Sequence, residues 1–252
     1  MSGLTDKQCL SPWRTKRLIV PGIVALAAVA LIPLAGMTFV PIKQFLSALP
    51  IARFFSTAGQ FGGVTATIGI VLIIWCLDRE RRHLVAYYLV ALLIAGNSVG
   101  IIKRITGRIR PEDSVGLSAR SAAKVAAKQG LSPEDAKQLT TDRWLWMGPS
   151  KRSFSDEHAS FPSGHACSVF VATAFLCVLY RQARWLWMIA AIGAALSRVK
   201  FERHFPEDIM VGGAIGWATA MWVFSWCWPM VVGRKIESRI TGWVQARQSK
   251  SG

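Results

Sequence analysis

The apolar positions of the chain are gathered into six stretches that alternate with shorter polar segments. The stretches cover residues 18–36, 61–77, 84–102, 162–180, 185–200 and 208–230. About 20 predominantly apolar residues allow a helix to cross the hydrocarbon core of a bilayer, and a soluble core is not expected to contain six such stretches. The pattern therefore predicts an all-α fold, a polytopic membrane protein with six transmembrane helices, in one domain over residues 1–252.

The composition agrees with a membrane protein, because 52% of the residues are hydrophobic and only 17% are charged. On a soluble chain, the net charge of +16 would suggest a nucleic acid as partner. Here the cations concentrate in residues 1–17, 79–82, 181–184 and 231–252, which fall on one side of a protein with six spans. The positive-inside rule makes that side cytoplasmic. We therefore expect no nucleic acid partner and both terminal tails in the cytoplasm.

Two segments on the opposite, outer side are predicted to carry further structure. Residues 37–60 have the composition of an amphipathic helix in the outer interface. Residues 112–160 form an insert between the third and fourth spans, with helices predicted at 118–129 and from Ser132 onward. The insert fits a solvated cap without chemical role as well as a lid that selects head groups. Its seven cations and five acids over residues 120–157 favour, as a hypothesis, a large anionic head group.

A first group of cations lies at the outer end of the third predicted span. Lys103 and Arg110 are seven residues apart, about two helical turns, so both side chains can face the same way. Pro111 ends the segment. The topology needs no positive charge on this side, which indicates that an anion binds there. Taken alone, the group is better explained by side chains that extend toward lipid phosphates.

Residues 160–165, Ser-Phe-Pro-Ser-Gly-His, predict the N-terminus of a helix on the same outer side. The free backbone N–H groups and the dipole of such a helix end favour a bound phosphate. Gly164 permits close approach of the backbone, Ser163 adds a hydroxyl donor and His165 adds a titratable group. An ordinary helix start with an incidental histidine is the alternative.

The segment Ser197–Asp208 joins the fifth and sixth predicted spans. Pro206 suits the first turn of a helix, which makes Asp208 a first-turn acid whose carboxylate can reach back to His204. Such a carboxylate raises the basicity of a histidine and fixes its tautomer. Arg198 lies upstream as a possible anion ligand. A metal bound by His204 and Asp208 is the weaker alternative, because the nearby cations would repel it and no third ligand is evident.

Together the three segments resemble the signature of the type 2 phosphatidic acid phosphatase superfamily. The matching motifs are Lys103-x6-Arg110-Pro111, Pro162-Ser163-Gly164-His165 and Ser197-Arg198-x5-His204-x3-Asp208. All signature positions are filled, in order, and the resemblance covers roughly residues 60–230, whereas the insert is not part of the signature. The resemblance implies a core of six membrane helices with the site at the outer surface.

The resemblance also implies a role for each residue. His204 would be the nucleophile and form a phosphohistidine, Asp208 would orient it and stabilise its charge, and His165 would protonate the leaving group. The residues that would bind the phosphoryl group are Lys103, Arg110, Ser163, Gly164 and Arg198, and Ser197 would support the site. Neither a cofactor nor a metal is implied, since the fixed cations supply the positive charge.

The function expected from this resemblance is hydrolysis of a terminal phosphate or diphosphate from an outer-leaflet lipid. Candidate substrates are phosphatidylglycerophosphate, phosphatidic acid, undecaprenyl diphosphate and the phosphates of lipid A. The enzyme would lie in the inner (plasma) membrane with its site facing the periplasm or the outside. The alternatives are a phosphotransferase that passes the phosphate to another lipid or a sugar, a lipid-binding or transport protein without activity, and a vanadate-dependent oxidase. The complete set of signature residues argues against the second alternative, and the membrane setting argues against the third.

Overall fold

The computed structural model describes residues 16–50, 52–113, 127, 160–226 and 228–248. The regular elements in these ranges are α-helices joined by short 3₁₀ turns. The helices are α1 (Lys16–Leu31), α2 (Ala35–Ala48), α3 (Ala52–Gly59), α4 (Val64–Leu77), α5 (Val85–Thr106), α6 (Gly164–Leu179), α7 (Arg184–Lys200), α8 (Pro206–Phe224) and α9 (Trp228–Gln248). The 3₁₀ turns are Ile32–Leu34, Gln60–Gly62, Arg79–Leu84, Pro111–Asp113 and Arg181–Ala183.

The helices of the described ranges agree with the predicted all-α fold, whereas the number of membrane spans stays a prediction. One described helix, Arg79–Thr106, is long and apolar enough to cross a membrane by itself. Up to three helical segments qualify if two bent pairs each count as one span. These pairs are Arg53–Gly62 with Val64–Leu77, bent by 70°, and Pro206–Phe224 with Trp228–Trp243, bent by 75°. The orientation of the chain, with both termini in the cytoplasm, also stays a prediction.

Some boundaries differ from those expected. The first apolar stretch, residues 18–36, is divided by a 3₁₀ turn at Pro33, because proline has no N–H to continue an α-helical ladder. The amphipathic segment at residues 37–60 is divided into α2 and α3 around Pro50 for the same reason. The predicted C-terminal tail continues as helix α9. The two helices predicted within the insert, apart from Ala127, lie outside the described residues.

Helices α6 and α8 pack so closely that their backbones are in contact. A Cβ atom placed at Gly212 would lie 2.2 Å from the carbonyl oxygen of Ser163, and one placed at Gly216 would lie 2.2 Å from that of Cys167. Glycines four residues apart on one helix face allow such close packing, as in membrane helix pairs. This contact brings the start of α8 against the start of α6, where the Ser163 N–H donates to the Asp208 carbonyl at 3.0 Å.

Aromatic side chains fill the space around this helix pair. Tyr88 of α5 stacks on Phe175 of α6 with ring centroids 5.1 Å apart, and Phe175 in turn contacts Phe224 of α8. On the other side, the buried Phe39 of α2 packs edge-on against Phe205, 5.4 Å between centroids. Helix α2 therefore covers the loop that leads into α8, and this loop carries His204.

We expect the substitution Gly216→Ala to weaken the fold, because its methyl group would force α6 and α8 apart. Overpacking of this kind lowers the free energy of unfolding by about 1–3 kcal/mol. Thermal unfolding of the purified protein in detergent micelles measures the effect. Gly96→Ala in α5 is the matched control, since nothing lies within 4 Å of a Cβ there and alanine favours a helix. Equal midpoints for Gly216→Ala and the unaltered protein would contradict the proposed close contact.

Candidate active site

The loop that carries His204 is fixed at both ends by helix termini. The backbone N–H groups of Arg203 and His204 both donate to the carbonyl of Arg198, at 2.9 and 3.2 Å. Phe205 is extended and precedes Pro206, the first residue of α8, and the Asp208 carboxylate accepts from the Phe205 N–H at 3.0 Å. Asp208 thus caps its own helix, as expected of an acid in the first turn. The two helix ends hold His204 in one position.

The imidazole of His204 is buried, with 4% of its surface exposed. Its Nδ1 atom lies 2.7 Å from the carbonyl oxygen of Ser160 and 3.8 Å from Oδ2 of Asp208. A carbonyl oxygen can only accept, so Nδ1 carries the proton and the lone pair of the neutral ring is on Nε2. Asp208 is close to His204, as expected, but only at ion-pair distance. The hydrogen bond that sets the tautomer runs instead from Nδ1–H to the Ser160 carbonyl.

The surroundings of His204 keep it neutral. The pKa of His204 is lowered to about 4, and burial is the largest cause. The charge and hydrogen bonding of Asp208 oppose this shift, while the cations Lys103 and Arg198 add to it. A buried imidazole next to fixed cations loses its proton readily. At neutral pH the ring therefore presents an unprotonated Nε2.

Asp208 is completely buried and its carboxylate accepts hydrogen bonds from three elements. Besides the Phe205 N–H, the donors are the Ser160 hydroxyl, at 2.5 Å from Oδ2, and the Arg108 guanidinium, at Oδ1. A buried carboxylate needs such donors to remain ionised. Asp208 is therefore held as a charged group beside His204.

Arg108 is a residue of this site that the sequence motifs did not single out. Its side chain is fully buried, binds Asp208 through Nη1, and donates from Nη2 to Glu207 at 2.6 Å. Its guanidinium also lies 4.1 Å from the centroid of the Phe205 ring. Gly107 ends α5 in the left-handed conformation, φ 56°, so that the chain turns and Arg108 follows directly. Two adjacent acids at the start of an apolar helix were the sequence signal for a buried cation.

The three predicted phosphate-binding cations come from different helix ends. Lys103 is in the last turn of α5, and its Cε lies 4.0 Å from the position of a Cβ at Gly164. Arg198 is in the last turn of α7, and its charge acts on both His204 and His165. Arg110 lies within electrostatic reach of Arg198, and its guanidinium is 3.7 Å from Glu112. The structure thus brings Lys103 and Arg198 to His204, with Arg110 beside Arg198.

The second motif forms the start of α6, as predicted. Ser163 is the N-cap, and its hydroxyl accepts from the Ala166 N–H at 3.3 Å. Gly164 is the first helical residue, next to Lys103. The Nε2 atom of His165 lies 2.5 Å from the carbonyl of Gly59, so Nε2 carries a proton and Nδ1 remains for proton exchange. Among the described residues, His, Cys, Asp and Glu side chains form no group of three suited to hold a metal ion.

Comparison with known families identifies the family to which the chain belongs. Residues 84–230 match the family model of the PAP2 superfamily, which is more than half of the chain. The chain therefore belongs to the PAP2 superfamily, as its three motifs predicted.

Two curated relatives show what kinds of protein it resembles. Over 89 residues it is 29% identical to the bacitracin transport permease protein BcrC of Bacillus licheniformis. This alignment covers 32% of this chain and 43% of the relative. Over 131 residues it is 24% identical to the lipid A 1-phosphatase of Rhizobium johnstonii. This alignment covers 52% of this chain and 43% of the relative. The alignments thus span less than half the length of either relative. Superposition of this protein on the crystal structure of LpxE from Aquifex aeolicus gives a TM-score of 0.48 at 18% sequence identity. The superposition covers 75% of this chain and 93% of the LpxE chain.

The low pKa of His204 predicts how stability depends on pH. An unfolded histidine takes up a proton below about pH 6.5, whereas folded His204 does so only near pH 4. The unfolded state binds more protons in this window, so the free energy of unfolding falls as the pH is lowered from about 6.5 toward 4. The loss due to His204 is about 2 kcal/mol at pH 5.

Thermal unfolding of the unaltered protein and of His204→Gln, between pH 7.5 and pH 5, tests this expectation. Glutamine can still donate to the Ser160 carbonyl and does not titrate, so it is a matched control. The midpoint of the unaltered protein should fall relative to that of the variant as the pH decreases. Parallel curves would show that His204 is not a neutral buried group.

Proposed function

We propose that this protein is an integral membrane enzyme that removes a terminal phosphate or diphosphate group from a lipid through a phosphohistidine on His204. The observation that carries the proposal is the state of that imidazole. Its Nδ1–H donates to the Ser160 carbonyl, its Nε2 carries the lone pair of the neutral ring, and the charges of Lys103 and Arg198 act on it. A neutral histidine held next to fixed cations suits attack on an anionic phosphorus.

In the proposed first step, Nε2 of His204 attacks the phosphorus, an N–P bond forms, and the bond from phosphorus to the lipid oxygen breaks. Lys103, Arg110 and Arg198, with the free N–H groups at the start of α6, stabilise the charge on the phosphoryl oxygens. No metal ion is needed for this, since the three cations supply the positive charge.

The proton for the leaving oxygen comes from His165. In its protonated form this residue has Nε2–H to donate to the Gly59 carbonyl and Nδ1–H to donate to the lipid oxygen. In the second step neutral His165 accepts a proton from water, which attacks phosphorus, breaks the N–P bond and releases inorganic phosphate. Both histidines then regain their starting states. Gly62 supports this geometry, since a Cβ there would lie 2.6 Å from Cδ2 of His165.

Apolar surface supports a lipid substrate and a membrane setting. Large apolar side chains of several helices are exposed, among them Leu77, Leu93 and Trp185, as expected of a surface in contact with lipid. A cavity of about 450 Å³ lies between α1, α6, α7 and α8 and is lined by apolar side chains. One of them is Ile209, next to Asp208, so a hydrocarbon chain in this cavity would begin beside the site.

The similarity to a lipid A 1-phosphatase supports the same substrate class. We propose phosphatidylglycerophosphate, phosphatidic acid, undecaprenyl diphosphate or a lipid A phosphate as the physiological substrate. In this proposal the enzyme lies in the inner membrane, with both termini in the cytoplasm and His204 facing the periplasm or the outside. The cationic segments 1–17, 79–82, 181–184 and 231–252 support that orientation, since the six-span topology puts them on the side opposite to His204.

Phosphate release from these four lipids in detergent micelles, with a chelator present, tests the function. The unaltered protein should release phosphate from at least one lipid, and His204→Ala should lose activity by about 10⁴-fold or more, as expected for loss of a nucleophile. His83→Ala is the matched control, because His83 lies in the 3₁₀ turn before α5 and should leave activity unchanged. Acid-labile, base-stable label on the unaltered protein would identify the phosphohistidine.

Two results would contradict the proposal. Equal release by His204→Ala and the unaltered protein would exclude His204 as nucleophile. Label that moves to an added lipid or sugar, without release of inorganic phosphate, would instead identify a phosphotransferase.

A bulky side chain in the apolar cavity should impair long-chain substrates selectively. Ile192 of α7 lines the cavity, and Ile192→Trp would fill part of it. We expect the KM for a long-chain lipid phosphate to rise by about tenfold or more, the usual effect of misfit in an apolar pocket, with kcat little changed. A short water-soluble phosphate ester should be hydrolysed as before. Ile189→Trp, one turn away and outside the lining, is the matched control, and equal effects of the two variants would contradict a role of the cavity.

A further inference from the structure

Arg108 binds two carboxylates, not one. Its Nη1 contacts Asp208 and its Nη2 donates to Glu207 at 2.6 Å, and all three side chains have no exposed surface. Each acid contacts a different nitrogen of the same guanidinium, so with both acids ionised the group carries a net charge of −1. Water does not screen this charge, because the group is buried, so its sign and size matter at the neighbouring imidazole.

The net charge of this group matters because other charged side chains also face His204. Asp208 lies 3.8 Å from Nδ1, while Lys103 and Arg198, from α5 and α7, both disfavour a positive charge on the ring. In the proposed reaction, attack by Nε2 leaves the imidazole positively charged while it retains its Nδ1 proton. If Arg108 were paired with Asp208 alone, their charges would cancel and no net negative charge would face this cation.

We propose that Glu207 is a positioning residue that neutralises Arg108, so that the negative charge of Asp208 remains available to stabilise phosphorylated His204. This inference rests on the proposed phosphohistidine function. Arg108 then supplies one of the three donors to the Asp208 carboxylate, and Glu207 offsets the positive charge that Arg108 brings next to it. Neither side chain needs to touch the substrate.

The other hydrogen bonds of Glu207 and Asp208 agree with these two different roles. Glu207 Oε2 is buried and has no hydrogen-bond partner among the described residues, so the contact with Arg108 is the main compensation for burying this carboxylate. Asp208, in contrast, also accepts from the Ser160 hydroxyl and the Phe205 N–H. Asp208 would therefore stay in place if Arg108 and Glu207 were replaced together by uncharged side chains of similar size.

The test compares Glu207→Gln with the double variant Arg108→Met and Glu207→Gln. The single variant keeps the shape and the acceptor for Arg108 but brings the net charge of the group from −1 to 0. We expect kcat to fall by about tenfold to a hundredfold with KM little changed, since Glu207 does not contact the phosphate. The double variant restores −1, and we expect its kcat to return to within about fivefold of the unaltered protein, as paired apolar replacements of buried ion pairs are tolerated.

Binding of orthovanadate gives a second measurement that does not require knowledge of the lipid. Vanadate mimics the five-coordinate phosphoryl group when it bonds to a nucleophile, and affinity for it reports stabilisation of the charge on His204. We expect about tenfold weaker binding by Glu207→Gln and recovery in the double variant. Glu202→Gln is the matched control, because it removes one negative charge from the same loop at a half-exposed residue that pairs with Lys43.

The outcomes separate this inference from the proposed function. No phosphate release and no His204-dependent vanadate binding by the unaltered protein would overturn the function itself. With a working enzyme, a Glu207→Gln variant as active as the unaltered protein would overturn the inference, and so would a folded double variant that is no better than the single one. If the single variant does not fold, as judged by its thermal midpoint, the double variant decides, since a folded but inactive double variant also contradicts the charge balance.

Discussion

The set of hydrogen bonds that holds the buried Asp208 carboxylate is the feature on which the rest of the site depends. One of them, from Arg108, joins the segment after α5 to the start of α8, across 100 residues of sequence. The backbone of Arg108 takes part as well, because its carbonyl accepts from the Ser160 N–H at 3.0 Å. Ser160 then holds both Asp208, through its hydroxyl, and His204, through its carbonyl. These contacts together fix the positions of His204 and Asp208 and the hydrogen bond that sets the tautomer of His204.

Those parts of the site that depend on local sequence could be predicted. Asp208 lies four residues after His204 at a helix start marked by Pro206, and this spacing alone brings the two side chains together. The helix N-terminus at Ser163 and the family itself followed in the same way from short motifs. The breaks at Pro33 and Pro50 were missed because the apolar pattern continues across them, although the lost N–H and the restricted preceding residue interrupt the helix.

The contacts that the sequence could not reveal are those between distant segments. The Ser160 carbonyl was not expected as the partner of His204, because a backbone acceptor leaves no mark in residue type. Arg108 stood among several cations of one segment, and only the fold shows that its side chain enters the interior whereas Arg110 reaches Glu112. The partner of His165, the Gly59 carbonyl, comes from the last residue of α3, 106 residues earlier. Such pairings are set by how helices pack, which propensity and spacing do not encode.

The charges around His204 serve two requirements that oppose each other. In the proposed reaction Lys103 and Arg198 attract an anionic phosphate, and their charge also lowers the pKa of His204, the histidine that attacks it. A lower pKa makes the imidazole a weaker nucleophile but keeps all of it unprotonated at neutral pH, so no base is needed to activate it. The proposed N–P bond would leave a positive charge on the ring in a buried site, where the same two cations disfavour it. Only a negative charge on the Nδ1 side can resolve this conflict without weakening phosphate binding on the Nε2 side. Asp208 is in that position, and its burial behind the ring keeps it from competing for the cations that the phosphate requires.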